Sequence, residues 1–436
     1  MENQLPCSTD GGKPARRVAL IADMPDWAFH KIARLVTPQL RPEYDCQTFF
    51  HLDYDKENNS RAHKDWRQLF DDLRAGRFDL VHFFWRDAIP QFLQSLTTDP
   101  DPGAGSSVED WLAAVPLTTS VYDHAGLDVD SVLARRQLFG TVVSGYLVSS
   151  LALDRAYRAA AVLPPPDVVA EDGVDVDLFR PTNLERLSRH GRDMAIGWAG
   201  NSKWSDGAKG LDHKGLHTII RPAIAKLRAD GLPVRGQFQD RNDRWLPYEK
   251  MPDYYNTLDV YVCASLHEGT PNPVLEAMAC GVPVISTRVG VVPDVFGPLQ
   301  REFFLDTRSP EALAAKIAIL AADPGLRGRL SEENLRQTRR WTWKRTAGKW
   351  RTFFDKVVEE ARTGTGRRNS YAIEMRRRYW KSMETGVEKG YFELLAEYRV
   401  LKAKWDEIRT SRGLRLIEML SNGQRRVLKA FGRRSA

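Results

Sequence analysis

Short apolar runs alternate with helix-periodic segments along most of this 436-residue chain, and the alternation restricts the possible folds more than any other feature. Runs rich in β-branched and aromatic residues predict buried strands, and the segments between them show the apolar spacing of helices. Strands that alternate with helices form parallel sheets in α/β domains. The predicted strands are 17–22, 46–50, 78–84, 117–122, 141–144, 193–199, 234–239, 260–263 and 283–286, and the predicted helices include 28–39, 62–73, 216–229, 253–258 and 274–280.

The length of the chain predicts more than one domain. A chain of 436 residues exceeds one typical hydrophobic core, and 42% hydrophobic residues are enough to build two. Three consecutive prolines at 164–166 and the segment E-D-G-V-D-V-D-L-F-R-P at 171–181 mark a joint. We therefore predict an N-terminal domain over 1–180, a second domain over 181–362 and a helical C-terminal tail over 363–436.

Two carboxylates, Glu268 and Glu276, bracket the stretch E-G-T-P-N-P-V-L-E. Gly269, Pro271 and Pro273 place the first carboxylate in a constrained loop and the second in the first turns of a helix. A helix N-terminus offers unpaired N–H groups and a positive dipole end to a diphosphate. One carboxylate can accept two hydrogen bonds from a ribose diol while the other holds a sugar hydroxyl, so the segment predicts a nucleotide-sugar site.

The segment from Met251 to Asp294 closely resembles the donor-binding core of glycosyltransferase family 4. Members of that family have the two-domain GT-B fold and transfer sugars with retention of anomeric configuration. The resemblance implies an α/β chain in which two Rossmann-like domains face a central cleft, with 1–180 as the acceptor-side domain and 181–362 as the nucleotide-sugar-binding domain. It extends over about residues 17–360 and is strongest in 190–300, and the segment 171–181 resembles the family's link into the second domain.

The resemblance also implies roles for particular residues. In such enzymes the first glutamate of the motif binds the donor sugar and the second binds the ribose, so a catalytic role falls to Glu268 and ribose binding to Glu276. Many relatives carry an aromatic residue where this chain has Thr270. The loop implied to contact the sugar and phosphates consists of Gly269, Thr270, Pro271, Asn272, Pro273, Val274 and Leu275.

Lysines follow the first strand of the predicted second domain. A departing diphosphate gathers negative charge that fixed cations stabilise without reorganising solvent. Relatives place an Arg or Lys after this strand and a Lys-Gly pair at the start of the next helix. The second position matches Lys214, for which the resemblance implies a catalytic role, and Lys209-Gly210 is a competing alignment. The first position falls to Lys203 or Asn201 as a donor-binding residue. Ordinary surface lysines are the alternative for Lys203 and Lys214.

His124 comes just after the predicted strand 117–122, and ligand sites of parallel sheets open at the C-terminal ends of strands. Relatives keep a His or Asp in this loop near the donor sugar, so the resemblance implies His124 as a third catalytic residue. His82, in D-L-V-H-F-F-W, is its rival, and a core histidine is the alternative for both. The first strand leads into A-D-M-P-D-W-A-F, where many relatives carry a glycine-rich loop.

Metal-binding patterns have little support. The D-x-D pattern occurs at Asp53–Asp55, Asp128–Asp130 and Asp175–Asp177, and three copies indicate chance matches. His213 and His217 have i,i+4 spacing but lack a third ligand. We therefore expect no cofactor and no metal requirement. The P-loop, G-x-G-x-x-G and G-x-S-x-G patterns are absent from the sequence, which argues against kinase, dehydrogenase and esterase functions.

Positive charge is concentrated in the last part of the chain. Residues 365–436 contain 18 Lys and Arg against 8 Asp and Glu, whereas the whole chain contains 64 against 57. Apolar residues recur every three or four positions from 371 to 408, which predicts a basic amphipathic helix. Such a helix suits an anionic membrane surface. A partner helix in a homo-oligomer and packing on the rest of the chain are the alternatives.

The cysteines and the N-terminus predict a cytoplasmic protein. Cys7, Cys46, Cys263 and Cys280 are scattered without C-x-x-C spacing, which is typical of reduced thiols. The polar N-terminus lacks a signal-peptide pattern, and no stretch of eighteen apolar residues occurs. We expect a cytoplasmic location, with peripheral attachment to the inner face of the membrane through the tail.

These features predict a retaining GT-B glycosyltransferase that transfers a sugar from a nucleoside-diphosphate sugar to a glycan or lipid-linked acceptor in cell-surface polysaccharide or glycolipid synthesis. The alternative is a non-catalytic nucleotide-sugar-binding scaffold that assembles through its helical tail. Binding of nucleic acid through the tail is a third interpretation, which we do not expect, because residues 1–364 carry 46 Lys and Arg against 49 Asp and Glu.

Overall fold

The computed structural model describes residues 14–55, 64–97, 104–124, 132, 135–160, 162–189, 193–204, 211–243, 246–368 and 370–385. Within these residues, two separate sheets of parallel strands are flanked by helices. Both sheets belong to one compact unit, residues 1–377. The predicted α/β class with two Rossmann-like halves is confirmed. We call the part that contains the first sheet the first half and the part that contains the second sheet the second half.

The first sheet has six strands in the order β2-β1-β3-β4-β5-β6, all of them parallel. Strand β1 reads R-R-V-A-L-I-A, and its last five side chains are buried, as expected where helices cover both faces of a parallel sheet. The strands are β1 Arg16–Ala22, β2 Tyr44–Phe50, β3 Leu80–Phe83, β4 Leu117–Val121, β5 Gly145–Val148 and β6 Val168–Val169. The helices are α1 Ala28–Leu40, α2 Trp66–Gly76, α3 Ala88–Thr97, α4 Ala104–Ala114 and α5 Leu151–Ala159.

The second sheet has four parallel strands in the order β10-β9-β7-β8. Its strands are β7 Met194–Gly200, β8 Val234–Asp240, β9 Val260–Cys263 and β10 Val284–Ser286. A π-helical turn over Leu216–Ile220 leads directly into the first helix of this half. The helices are α6 Arg221–Ala229, α7 Met251–Tyr255, α8 Asn272–Ala279, α9 Val292–Val295, α10 Pro310–Ala322 and α11 Pro324–Thr338.

Helix α12, Trp343–Thr363, follows the second half in sequence but packs on the first. Its buried apolar face, which includes Trp350 and Phe354, belongs to the same core cluster as Val18 and Leu20 of β1. The predicted boundary at residue 362 assigned this helix to the second domain, but the helix packs on the first half. Sequence spacing alone shows that the helix is amphipathic, but it does not show which of two apolar surfaces the helix covers. The other domain boundaries stay predictions.

Most predicted elements agree with the observed ones to within a few residues. The predicted strand 141–144 is wrong, because its first two residues end the π-helical turn Leu138–Val142 and the strand begins at Gly145. T-V-V-S is rich in β-branched residues, but Val142 and Val143 are buried before the chain enters the sheet. Tertiary burial outweighs local strand propensity at this point.

The predicted tail begins inside the described structure. Helix α13 spans Ser370–Thr385. Arg376 is only 4% exposed, and its Nε donates to the carbonyl of Val142 at 3.0 Å, so the start of the tail is part of the body of the first half. The rest of the predicted amphipathic helix, 386–436, lies outside the described residues. Among the helices that the structure describes, none combines the length and apolar character needed to cross a bilayer.

Candidate active site

A cavity of about 700 Å³ opens between the two sheets. Residues at the C-terminal ends of β1, β2, β3 and β4 line it from the first half, and residues at the ends of β7, β8 and β9 line it from the second. Ligands of open parallel sheets bind outside the C-terminal ends of the strands. The volume lies within the range of about 300–1,000 Å³ that is usual for ligand pockets. Both halves therefore contribute to one candidate site.

Lys214 and Glu268 form an ion pair at this site. The Lys214 ammonium lies 2.5 Å from Glu268 Oε1, and both side chains are mostly buried. Gly215, which follows the lysine, has φ +74°, and a Cβ there would come within 2.7 Å of the Ala264 carbonyl. Asp212 caps the following turn by accepting from the backbone N–H of residues 215, 217 and 218. The glycine and the cap hold the lysine beside the loop after β9.

The loop that carries Glu268 presses directly against the first half. A Cβ on Gly269 would lie 2.2 Å from Ser149 Oγ and 2.4 Å from the Tyr122 carbonyl, so only glycine permits this approach. The next residue, Thr270, donates its hydroxyl to the Ser149 carbonyl at 3.0 Å. Thr270 therefore joins the halves, and an aromatic side chain could not make this hydrogen bond.

Asp172 organises the same loop from the linker. Its Oδ2 accepts from the Asn272 amide at 2.9 Å, and its Oδ1 accepts from the Tyr122 hydroxyl at 3.0 Å. Its own N–H faces Thr270 Oγ1 at 3.4 Å. Asp172 is fully buried, and burial raises the pKa of its carboxyl to about 6. The buried carboxylate ties the linker, the first half and the predicted donor loop together.

Glu276 lies in the second turn of α8 and is 5% exposed. Its Oε1 lies 2.9 Å from the Lys31 ammonium, and its Oε2 accepts from the Tyr255 hydroxyl at 2.8 Å. Lys31 belongs to α1 of the first half, so this ion pair crosses the cleft. Each carboxylate oxygen has a second lone pair, so Glu276 can accept a further hydrogen bond from a ligand while it remains paired.

The two candidate histidines have different surroundings. The His124 ring lies beside that of His267, tilted by 37° with centroids 5.1 Å apart, and burial together with His267 lowers the pKa of the His124 imidazole. His124 is therefore neutral at pH 7, beside the loop that carries Glu268. His82 is fully buried, its Nδ1 lies 3.0 Å from Thr118 Oγ1, and the ring of Trp350 packs against it. His82 is a core residue.

The remaining predicted residues divide into cavity-lining, exposed and buried positions. Asn201 lines the cavity, as do the predicted loop residues from 269 to 273. Lys203 is exposed and does not belong to the cavity lining, so the structure favours Asn201 at the position after β7. Val274 and Leu275 are fully buried in the core of the second half. The apolar face of α8 turns these two side chains inward and leaves only their backbone N–H groups for a ligand, so donor binding by Val274 and Leu275 stays a prediction.

The sequence analysis missed three cations that line the cavity, Lys31, Arg34 and Arg241. Arg241 directly follows β8, and its guanidinium carbon lies 4.2 Å from the centroid of the Trp27 ring. The C-terminal end of a parallel strand was the signal that could have identified Arg241. Lys31 has no comparable local signal, because its role depends on how α1 docks against α8.

Two candidates from the sequence lie outside the described residues. They are the D-x-D pattern Asp128–Asp130 and the competing Lys-Gly alignment Lys209-Gly210. Among the described residues, no group of three or more His, Cys, Asp and Glu side chains is arranged to hold a metal ion.

We expect the raised pKa of Asp172 to appear as a pH dependence of stability. The folded protein holds this proton more tightly than the unfolded chain, whose pKa is near 3.8, so ionisation of Asp172 destabilises the fold as pH rises through about 6. Relative to Asp172→Asn, the free energy of unfolding of the wild type should fall by about 1–2 kcal/mol between pH 5 and pH 7.5. Urea denaturation at both pH values measures this difference. An equal pH dependence in both proteins would contradict the assignment.

Parts of this chain are similar in sequence to known glycosyltransferases. The chain is 24% identical to D-inositol 3-phosphate glycosyltransferase of Corynebacterium glutamicum over 217 residues, which cover 44% of this chain and 51% of that protein. It is 31% identical to O-antigen chain mannosyltransferase B of Escherichia coli over 99 residues, covering 23% and 26% of the two chains. The chain thus spans about half or less of the length of these curated relatives.

Two further similarities concern the fold and one segment of the sequence. The structure of Anabaena HepE in complex with UDP and glucose superposes with a TM-score of 0.55 at 13% identity and covers 78% of this chain and all of that one, which supports the GT-B fold. Residues 244–337 match the model of the family described as glycosyl transferases group 1. The sequence similarity to glycosyl transferases group 1 is thus limited to residues 244–337, and the fold of the chain is GT-B.

Proposed function

We propose that the chain is a retaining glycosyltransferase that moves a sugar from a nucleoside-diphosphate sugar to a glycan or lipid-linked acceptor in cell-surface polysaccharide or glycolipid synthesis. The observation that carries the proposal is that one cavity gathers Glu268, Lys214 and Glu276 beside the N-terminus of α8. UDP and glucose in the HepE complex support the class of donor. The name of one curated relative, an O-antigen chain mannosyltransferase, supports a glycan acceptor.

The second half holds the donor in this proposal. The backbone N–H groups at the start of α8 and the positive end of its dipole face the diphosphate. Glu276 accepts from the ribose diol and keeps its ion pair with Lys31. Glu268 accepts from a hydroxyl of the donor sugar, while neutral His124 lies next to its loop. Asn201 contacts the donor at the end of β7.

Transfer breaks the bond between the anomeric carbon and the diphosphate oxygen. The acceptor oxygen forms the new bond on the same face of the sugar, and the acceptor proton leaves with the diphosphate. Lys214 stabilises the charge that develops on the diphosphate, and its ammonium is already fixed beside Glu268. A preorganised cation stabilises a transition state without reorganising solvent. The reaction needs no metal in this proposal, since protein cations supply the positive charge.

The first functional test is a thermal-shift screen of nucleotide sugars followed by calorimetry with the best ligand. A ligand at 100 times its Kd stabilises the fold by about 2.7 kcal/mol. Glu276→Ala should weaken the binding of that ligand by roughly ten-fold to several-hundred-fold, because one or two charge-assisted hydrogen bonds are lost.

The matched control is Glu332→Ala, which removes an exposed carboxylate from α11 and should leave the affinity unchanged. Unchanged affinity in a folded Glu276→Ala variant would refute the ribose assignment. A protein that binds nucleotide sugars but releases no diphosphate from any of them would instead be the non-catalytic scaffold.

A second prediction concerns Lys214. Its ammonium should interact more strongly with the departing diphosphate than with the bound donor, so Lys214→Ala should lower kcat about 100-fold or more with a smaller change in KM. Lys226→Ala, which removes an exposed lysine from α6, serves as the control. Steady-state donor hydrolysis, with and without excess EDTA, measures both effects. Activity that EDTA abolishes and manganese or magnesium restores would contradict the metal-independent mechanism.

We also propose that the basic tail attaches the enzyme to the inner face of the membrane. Residues 386–436 contain 12 Lys and Arg against 6 Asp and Glu. Their deletion should leave donor hydrolysis intact and abolish sedimentation with anionic liposomes, and high salt should weaken the binding of the full chain. The deletion begins after residue 385 because Arg376 is part of the folded body. Loss of a dimer without loss of liposome binding would show that the tail is a partner-binding helix.

A further inference from the structure

The wall that the first half presents to the cavity contains polar groups that the proposed donor site does not use. Two of them, Asp23 and His51, directly follow β1 and β2 and line the cavity. Both residues lie outside residues 244–337, the segment that matches the family model. The segment A-D-M-P-D-W-A-F, which contains Asp23, follows β1 at the position where many relatives carry a glycine-rich loop.

Asp23 is a buried carboxyl group with unused hydrogen-bonding capacity. It is 8% exposed, and within the described part of the chain its Oδ1 has no hydrogen-bond partner. Buried polar atoms are nearly always paired, so an unpaired one at a cavity wall needs a reason. Burial raises the pKa of Asp23 to about 6, which leaves the group mostly ionised at pH 7.5.

His51 repeats this pattern on the neighbouring strand. It is 7% exposed, and its Nδ1 also lacks a hydrogen-bond partner among the residues that the structure describes. Burial lowers the pKa of His51 to about 4, so the imidazole is neutral at physiological pH. A neutral imidazole and a carboxylate are both able to accept hydrogen bonds from hydroxyl groups.

Aromatic rings complete this wall. Trp85, just beyond β3, and Trp27, just before α1, are half-buried and line the same cavity. Arg241 of the second half lies over the Trp27 ring. Aromatic faces bury the apolar C–H surface of a ligand, while the polar groups beside them fix its orientation. Apolar faces together with several hydroxyl groups are characteristic of a pyranose.

We propose that Asp23, His51 and Trp85 form the subsite for the reacting sugar unit of the acceptor, and that this unit is a neutral saccharide. The inference rests on the proposed function and specifies its acceptor. Hydroxyl groups of the saccharide donate to Asp23 and His51, and one face of the ring packs on Trp85. Asp23 is nine-tenths buried and interacts electrostatically with Arg241. An anionic sugar would compete with this carboxylate for the guanidinium and would bring a second negative charge next to it, where water screens repulsion poorly.

The test is a saturation-transfer NMR titration of the full-length protein with methyl α-D-glucopyranoside and methyl α-D-mannopyranoside at pH 7.5, with and without saturating UDP or GDP. We expect one of these neutral glycosides to bind the wild type. Asp23→Asn should weaken that binding about ten-fold, because a charge-assisted hydrogen bond becomes a neutral one. Trp85→Leu should weaken it independently, and both variants should keep the nucleotide affinity of the wild type.

Asp53→Asn is the matched control, because Asp53 is an exposed carboxylate in the turn after His51 that does not line the cavity. Three outcomes would overturn the proposal: no binding of either glycoside, unchanged glycoside affinity in Asp23→Asn and Trp85→Leu, or tighter binding of glucose 6-phosphate than of the neutral glycosides. Nucleotide binding separates this inference from the proposed function. Glycoside binding that depends on Asp23 in a protein that binds no nucleotide would contradict the donor assignment and leave the saccharide subsite standing.

Discussion

The hydrogen bonds of Asp172 hold the predicted donor loop against the first half, and the geometry of the cleft depends on them. One carboxylate accepts from Asn272 of the loop and from Tyr122 at the end of β4. Gly269 and Thr270 complete the junction by direct contact with Ser149. All of these groups are largely removed from water, so the loss of one partner leaves another polar atom unpaired at a cost of about 1–3 kcal/mol. The position of the loop is therefore coupled to the position of the first half.

Two cations of the cleft are paired with the carboxylates of the predicted donor site. Lys214 contacts Glu268 within the second half, and Lys31 contacts Glu276 across the cleft. These pairs fix the ammonium groups before a diphosphate arrives, which lowers the reorganisation needed when negative charge develops. They also keep two buried carboxylates compensated, since an unpaired buried charge is strongly unfavourable. The Lys31 pair makes α1 a structural part of the predicted ribose site.

Two chain segments connect the halves, and they run side by side. The linker enters the second half near Val174, whose N–H donates to the Trp341 carbonyl at 2.7 Å, just before α12 returns to the first half. A Cβ on Gly173 would lie 2.3 Å from the Trp343 nitrogen, so this crossing requires a glycine. Adjacent crossings leave the rest of the cleft free of covalent connections. This arrangement is suited to hinge closure around a ligand.

The sequence by itself determined the α/β class, most of the strands, and the loop and helix that carry Glu268 and Glu276. These features depend on local periodicity and on residue types that lie close together in the chain. It also placed Lys214 correctly at the start of a helical turn, since Gly215 is a local signal. Only the tertiary structure decided that α12 packs on the first half, that His82 is a core residue, and that Lys31 reaches Glu276. Those facts depend on which apolar surfaces pack together and on which side chains, distant in sequence, are then brought close to each other. The local spacing of residues does not specify these contacts. For the same reason, local spacing does not show that Asp23 and His51 line one cavity. They do so because the C-terminal ends of the parallel strands β1 and β2 lie at the same edge of the sheet.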